Sequence, residues 1–206
     1  MKTKKLEIKQ PSVTEVENWL QIWKTSDEYE KYRCQEKSVV MVFQQYPKNT
    51  EIKEVLIKVG ILNDFYSTNI FDTFSVAKNI VKQNIDSRLS NANTDIINDI
   101  AQVNINGKDK RFYSFATKYC SNHYPEKYPI YDSIVNRMLV YFKTQEEFAK
   151  FKQDDLRDYL TFKNIIIEFR KFYDLEKFSF REIDWYLWLV GKEYFNTKNE
   201  NVNIKN

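Results

Sequence analysis

KDKRFYSFATKYCSNHYPEKYPIYDSIVNRML, residues Lys108 to Leu139, reads as a helix, a turn bounded by Pro125 and Pro129, and a second helix. The turn delivers one carboxylate, Asp132, to the head of the second helix. A helix start carries partial positive charge and free N–H donors, so it holds an aspartate ionised and oriented. The same residue also suits a plain N-cap. Just upstream lies Asn106-Gly107, followed by a basic segment with Lys108, Lys110 and Arg111. A glycine turn leading into a helix N-terminus is a ready anion site. An oriented carboxylate beside a phosphate-binding turn points to chemistry on a nucleic acid.

Outward from this segment, composition indicates packed helices. The chain has 206 residues with 3 Gly and 4 Pro, so punctuation is scarce and elements are long, while 14 Tyr and 15 Phe supply a large core. Cys34 and Cys120 stand far apart without a paired motif, which suits a reducing, cytoplasmic compartment. The start, MKTKKLEIKQ, is basic without an apolar run and does not read as a signal peptide. No apolar run approaches the length of a membrane span. The net charge of +3 is too small to argue for nucleic acid by itself, so the placement of cations matters more than their number.

Helical signals recur along the chain. Ser12-Val-Thr-Glu15 resembles a capping box and opens a helix with Val16, Trp19, Leu20 and Trp23 on one face. Further helices are predicted over Cys34–Tyr46, Glu51–Phe65, after Asp72, over Thr94–Val103, and over Leu156–Tyr173. Thr144-Gln-Glu-Glu147 and Ser179-Phe-Arg-Glu182 read as two more capping boxes. Alternating strand-like segments are few, with Ile8 to Val13 a short extended candidate. The expected architecture is all-α, a two-lobed helical bundle over residues 1–195. Residues 196–206, polar and Asn-rich, are expected to form a disordered tail.

The catalytic inventory is narrow. His123 is the single histidine, and Cys120-Ser-Asn-His123 has no second pair to complete a zinc site. No nucleophile elbow, P-loop or GxGxxG is present, and no cofactor or metal is expected. Carboxylate and amine chemistry remain. A lysine held dry beside a carboxylate can lose its proton and attack an electrophilic carbon. Lys110, read at the first turn of the helix before Asp132, would share a face with Ser114 and Lys118.

The segment Pro129-Ile-Tyr-Asp132-Ser133-Ile-Val135-Asn-Arg137 resembles the signature of the helix-hairpin-helix DNA glycosylase superfamily, Pro/Val-x-Asp-Thr/Ser-x-Val-x-Arg, with one extra residue after the proline. The resemblance runs roughly from Leu56 to Gly191 and implies a central helix-hairpin-helix motif. The hairpin Val103-Asn-Ile-Asn-Gly-Lys108 carries one glycine where the family usually has Leu-Pro-Gly-Val-Gly. By resemblance, Asp132 supports the developing sugar cation, and Lys110 fills the place of the Schiff-base lysine, with Lys118 or water as alternatives. Asn106, Gly107 and Lys108 would bind a phosphate. Asn69, in Ile61-Leu-Asn-Asp-Phe-Tyr-Ser-Thr-Asn69, would fill the gap left by an extruded base. The end, Arg181-Glu-Ile-Asp184-Trp-Tyr-Leu-Trp188, is similar to C-terminal helices of the 8-oxoguanine glycosylase-like branch, so Tyr131, Asp184 and Trp188 would form the base pocket.

The expected activity is therefore base-lesion recognition and N-glycosidic bond cleavage in double-stranded DNA, by a monomer working at the bacterial nucleoid. A non-catalytic DNA-binding or protein-interaction module on the same helices is the alternative, and a helical toxin or defence component a third.

Overall fold

A computed structural model describes the backbone of residues 8–203 and the side chains of residues 8–195. It is a helical bundle: α1 (Val13–Thr25), α2 (Glu30–Gln45), α3 (Ile52–Phe65), α4 (Thr73–Gln83), α5 (Asp86–Ser90), α6 (Ile96–Ala101), α7 (Tyr113–His123), α8 (Ser133–Glu146), α9 (Tyr159–Phe172) and α10 (Phe180–Asn203). Two short strands, β1 (Gln102–Ile105) and β2 (Lys108–Arg111), separate α6 from α7.

Side-chain caps set many of the helix starts. Ser12 accepts from the Glu15 amide, Asp72 from Ser75, Asp132 from Ile134 and Val135, and Asp158 from Thr161. Each satisfies amides that have no partner within the helix. Ser179 and Glu182 form a reciprocal box at α10: the Glu182 carboxylate accepts from the Ser179 amide and the Ser179 hydroxyl from the Glu182 amide.

One core joins residues from Val16 of α1 to Val190 of α10, with a satellite of Trp23, Tyr29 and Leu189 at one end. Helix α7 is the centre of the bundle. Tyr113 and every residue from Phe115 to Ser121 are buried, Thr117 and Lys118 included. A helix enclosed on all sides has no polar stripe. Helices α2, α3 and α6 pack around α7, while α10 lies against α1 and α8.

Three expectations are corrected. Residues 102–111, read partly as the end of one helix and the start of another, form an antiparallel hairpin in which Val103 faces Lys110 and Ile105 faces Lys108. Asn106 and Gly107 both adopt positive φ, 51° and 79°, the backbone of a two-residue turn whose twist matches paired strands. Thr144 to Glu147 does not open a helix. It closes α8, because no breaker separates it from Phe142, and Glu147 ends the helix in the left-handed conformation. Residues Ile8 to Ser12 form no strand, and α1 begins at Val13. The α10 backbone runs as far as Asn203. Residues 1–7 and 204–206 lie outside the described residues.

Candidate active site

Two concavities meet at the head of α8. An inner cleft of about 230 Å³ is lined by Trp23, Tyr32, Glu36, Tyr66, Arg181, Asp184, Trp185 and Trp188, together with Lys118 and Asp132. An outer groove of about 590 Å³ runs past Ser67, Thr68, Asn69, Arg111, Tyr131 and Arg157 and shares Tyr66, Lys118 and Asp132 with the cleft.

Asp132 divides its two oxygens. Oδ1 accepts from the amides of Ile134 at 2.7 Å and Val135 at 3.4 Å, and so caps α8. Oδ2 lies 3.8 Å from Lys118 Nζ. The residue is both an N-cap and a group facing the cleft, and the cap is what aims it.

Lys118 is nearly enclosed, with 5 % of its side chain exposed. It sits one turn after Ser114 on α7, and its Nζ donates to Ser114 Oγ at 2.6 Å. Ser114 in turn donates to the Tyr131 carbonyl at 3.1 Å, which ties α7 to the approach of α8. The ammonium also lies 5.6 Å from the Tyr66 ring centroid. Burial lowers the Lys118 pKa, and the nearby Asp132 and Asp184 carboxylates oppose that shift only in part.

Opposite, α10 presents Asp184. Burial pushes its pKa up to about 7; Arg181 opposes the shift and the charge of Asp132 reinforces it. A second acid, Glu36 on α2, is held by Arg181 at 3.4 Å and accepts from Trp185 Nε1 at 3.2 Å. Burial raises its pKa while Arg181 lowers it. Arg181 also donates to Ser121 Oγ at 3.3 Å. One guanidinium thus ties α2, α7 and α10 around the cleft. Trp23 stacks on Trp185 with ring centroids 5.5 Å apart, and Trp188 meets Tyr32 edge-on at 5.1 Å, so the upper wall is aromatic.

The structure gathers some of the expected residues and disperses others. Asp132, Asp184 and Trp188 share the inner cleft. Asn69 and Tyr131 line the outer groove instead. Tyr131 is turned toward Tyr113, at 4.7 Å between centroids, and its hydroxyl accepts from Asn136 Nδ2. Lys110 is not at a helix start. It lies on β2, a fully exposed strand, and lines neither concavity, so the lysine beside Asp132 is Lys118. Asn106, Gly107 and Lys108 form the hairpin tip, away from both concavities. The Gly107 amide donates to Asn104 Oδ1 at 3.0 Å and is therefore already engaged.

His123 stands apart, packed edge-on against Phe43 in a buried cluster with Lys58, Asn49 and Tyr119. Burial and the Lys58 charge lower its pKa to about 3, so it is neutral. Lys58 caps the end of α2 there, donating to the carbonyls of Tyr46 and Lys48 and to Asn49 Oδ1. Among the described residues no group of three or more His, Cys, Asp or Glu is placed to hold a metal ion, and no helix is long and apolar enough to cross a membrane.

Sequence reasoning did not find Glu36, Trp23, Tyr32, Tyr66 or Trp185. Trp23 read as part of a core stripe, and nothing local marks Glu36, whose partners lie about 150 residues away.

A family model described as the HI_0787_N N-terminal domain matches residues 15–127. The chain belongs to this HI_0787_N family. The match spans α1 to α7, taking in Glu36 and Lys118 and stopping before Asp132 and Asp184. A Haemophilus influenzae protein carrying the name "Uncharacterized protein" is 45% identical over 148 residues, 71% of each chain. No solved structure matches.

Proposed function

We propose that this member of the HI_0787_N family recognises damaged bases in double-stranded DNA and cleaves the N-glycosidic bond, acting as a cytoplasmic monomer. One observation carries the reading: a buried lysine with depressed pKa lies 3.8 Å from an oriented carboxylate, at the junction of an aromatic cleft and an open groove. A perturbed amine in a cleft beside its charge partner is a candidate nucleophile. The cleft, about 230 Å³ with three indoles on its wall, suits a flat aromatic guest taken out of a base stack.

In the proposed reaction the target nucleotide is extruded along the outer groove. The base enters the cleft and its sugar stays at the junction. The neutral Lys118 amine bonds from Nζ to C1′. The C1′–N bond to the base breaks and its electron pair leaves with the base. Protonated Asp184 supplies the proton that the departing base takes up. The Asp132 carboxylate faces the cationic sugar in the transition state and then receives the proton shed by the new Nζ–C1′ ammonium. The C1′–O4′ bond then breaks, O4′ takes the proton held by Asp132, and the Nζ lone pair closes a protonated imine between Lys118 and C1′.

Borohydride reduces that imine to a stable amine, so trapping on duplexes bearing single lesions is the test. The wild-type chain should form a covalent adduct with at least one lesion. Lys118→Gln should abolish trapping, Asp132→Asn should lower base release by about 10²- to 10³-fold while sparing duplex binding, and Lys110→Ala should trap as wild type does. Trapping that survives Lys118→Gln defeats the assignment.

The runner-up, a non-catalytic DNA-binding or interaction module, draws on the fact that Asp132 already serves its helix and Lys118 already holds Ser114. It predicts duplex binding without base release from any lesion.

A further inference from the structure

Ser114 is half-buried on the lining of the outer groove, one turn before Lys118 on α7. A serine hydroxyl has one proton to give and two lone pairs to offer. Here the proton is committed: Ser114 Oγ donates to the Tyr131 carbonyl at 3.1 Å. The Thr117 hydroxyl leaves that carbonyl to Ser114. It donates to the Ser114 carbonyl at 2.9 Å rather than to Tyr131 at 3.4 Å, and it accepts from the Tyr131 amide at 3.1 Å. Toward Lys118 the Ser114 hydroxyl is therefore an acceptor only, and Nζ donates to it at 2.6 Å.

That direction decides where the lone pair of the neutral amine points. A hydroxyl with a free proton would donate to the lone pair and occupy it. One that can only accept holds an amine N–H instead. The Asp132 carboxylate, 3.8 Å from Nζ, draws the other N–H of the neutral amine. The lone pair is left facing away from both oxygens. Among the described residues nothing donates to Nζ, and Lys118 borders both concavities. An amine lone pair without a donor is free to attack a carbon held at that junction.

We propose that Ser114 is a positioning residue for the amine: it accepts from Nζ, gives its own proton to the Tyr131 carbonyl, and so keeps the Lys118 lone pair unoccupied and turned toward C1′. The inference rests on the base-release reading above and adds to it the group that orients the nucleophile. The Tyr131 carbonyl belongs to the device, since without it the Ser114 proton would turn onto the lone pair. Holding a reacting atom in one orientation removes freedom that would otherwise be lost on the way to the transition state.

The test uses the full chain and a duplex carrying one abasic site. Its C1′ aldehyde takes the Nζ lone pair, loses its oxygen as water with both hydrogens from the amine, and gives an imine that borohydride traps. No base has to be released. Lys118→Gln should not trap. On the alkaline plateau, where the amine is neutral, Ser114→Ala should trap about 10- to 10²-fold more slowly than wild type, with duplex affinity unchanged by anisotropy. The Lys118 Cε resonance should titrate at lower pH in Ser114→Ala, because the ammonium has lost an acceptor. Ser114→Thr should restore both readouts. Ser114→Cys, which keeps the volume but offers a weak acceptor, should fall as Ser114→Ala does. Thr117→Val, which cuts the second tie between α7 and Tyr131, should leave the lysine titration as in wild type. Equal plateau rates for wild type and Ser114→Ala overturn the proposal, and so does a Thr117→Val variant that shifts the titration as far as Ser114→Ala. A wild type that traps the abasic duplex but no lesion duplex keeps this inference and removes base release. A wild type that traps neither removes both.

Discussion

Burial disfavours the charged form of any ammonium, and Lys118 has few groups to offset it: one serine hydroxyl, one aromatic ring, the Asp132 carboxylate beyond hydrogen-bond range, and the Asp184 carboxylate. Lys118 therefore gives up its proton more readily than a lysine in water. Asp184 is the complement, an acid whose pKa is raised to about 7 by burial. Two groups pushed in opposite directions in one cleft fit the amine and acid of the proposed reaction. The base-release rate should therefore fall above a pH of about 7, as Asp184 loses its proton. In Asp184→Asn that alkaline limb should vanish, with the rate at pH 6 lowered by about 10²-fold. Single-turnover kinetics across pH on a trapped lesion check both. Stability carries the same sign. The folded state holds the Asp184 proton more tightly than the unfolded state, so this contribution is complete below the usual carboxylate pKa and is lost as pH rises through about 7. Thermal melts should show Asp184→Asn gaining on wild type between pH 5 and 8.

Among the elements, α8 and α10 jointly place the site. Asp132 sits at the N-cap of α8, while Asp184 and Trp188 lie on the second and third turns of α10. The two helices touch at Gly191, where an added Cβ would land on Ile134 Cγ2 and within 2.9 Å of Met138 Cγ. Ile134 is two residues from Asp132, so a shift of α8 at this contact carries the carboxylate with it. Gly191→Ala should cost about 1–3 kcal/mol in stability, the usual penalty for overfilling a packed contact. It should also slow base release more than it weakens duplex binding. Denaturant titration and single-turnover assays separate these effects, and unchanged stability would show that α10 can lift off α8 freely. The hairpin β1–β2 is a different kind of element. Asn-Gly is a strong hairpin signal, but Lys108 to Arg111 is exposed at every position, so no alternation of apolar and polar residues marks the strand.

Over the whole molecule the net charge is only +3, so any attraction to a polyanion must come from where the cations lie. Arg111 and Arg157 are on the groove wall, and Lys108 and Lys110 are on the adjoining hairpin. Duplex affinity should fall with salt with a log–log slope of roughly −0.9 per phosphate contacted. Replacing Lys108 and Lys110 together by alanine should flatten that slope by up to about two if the hairpin grips the backbone. An unchanged slope would confine the footprint to the groove.

Information held within a turn or two of the chain determined the helical class, the caps at Ser12, Asp72 and Ser179, and the aim of Asp132, because helix periodicity and capping are local hydrogen-bonding choices. The pair Asp184 and Trp188 was legible for the same reason, four residues apart on one helix face. Only the tertiary structure set Lys118 rather than Lys110 beside Asp132, moved Tyr131 to the outer groove, set Glu36 against Arg181 and Trp185, and closed Trp23 onto Trp185. These contacts join side chains up to about 160 residues apart. Each depends on how α1, α2, α7 and α10 pack, and that follows from the shape of the shared core rather than from any pattern along a single segment.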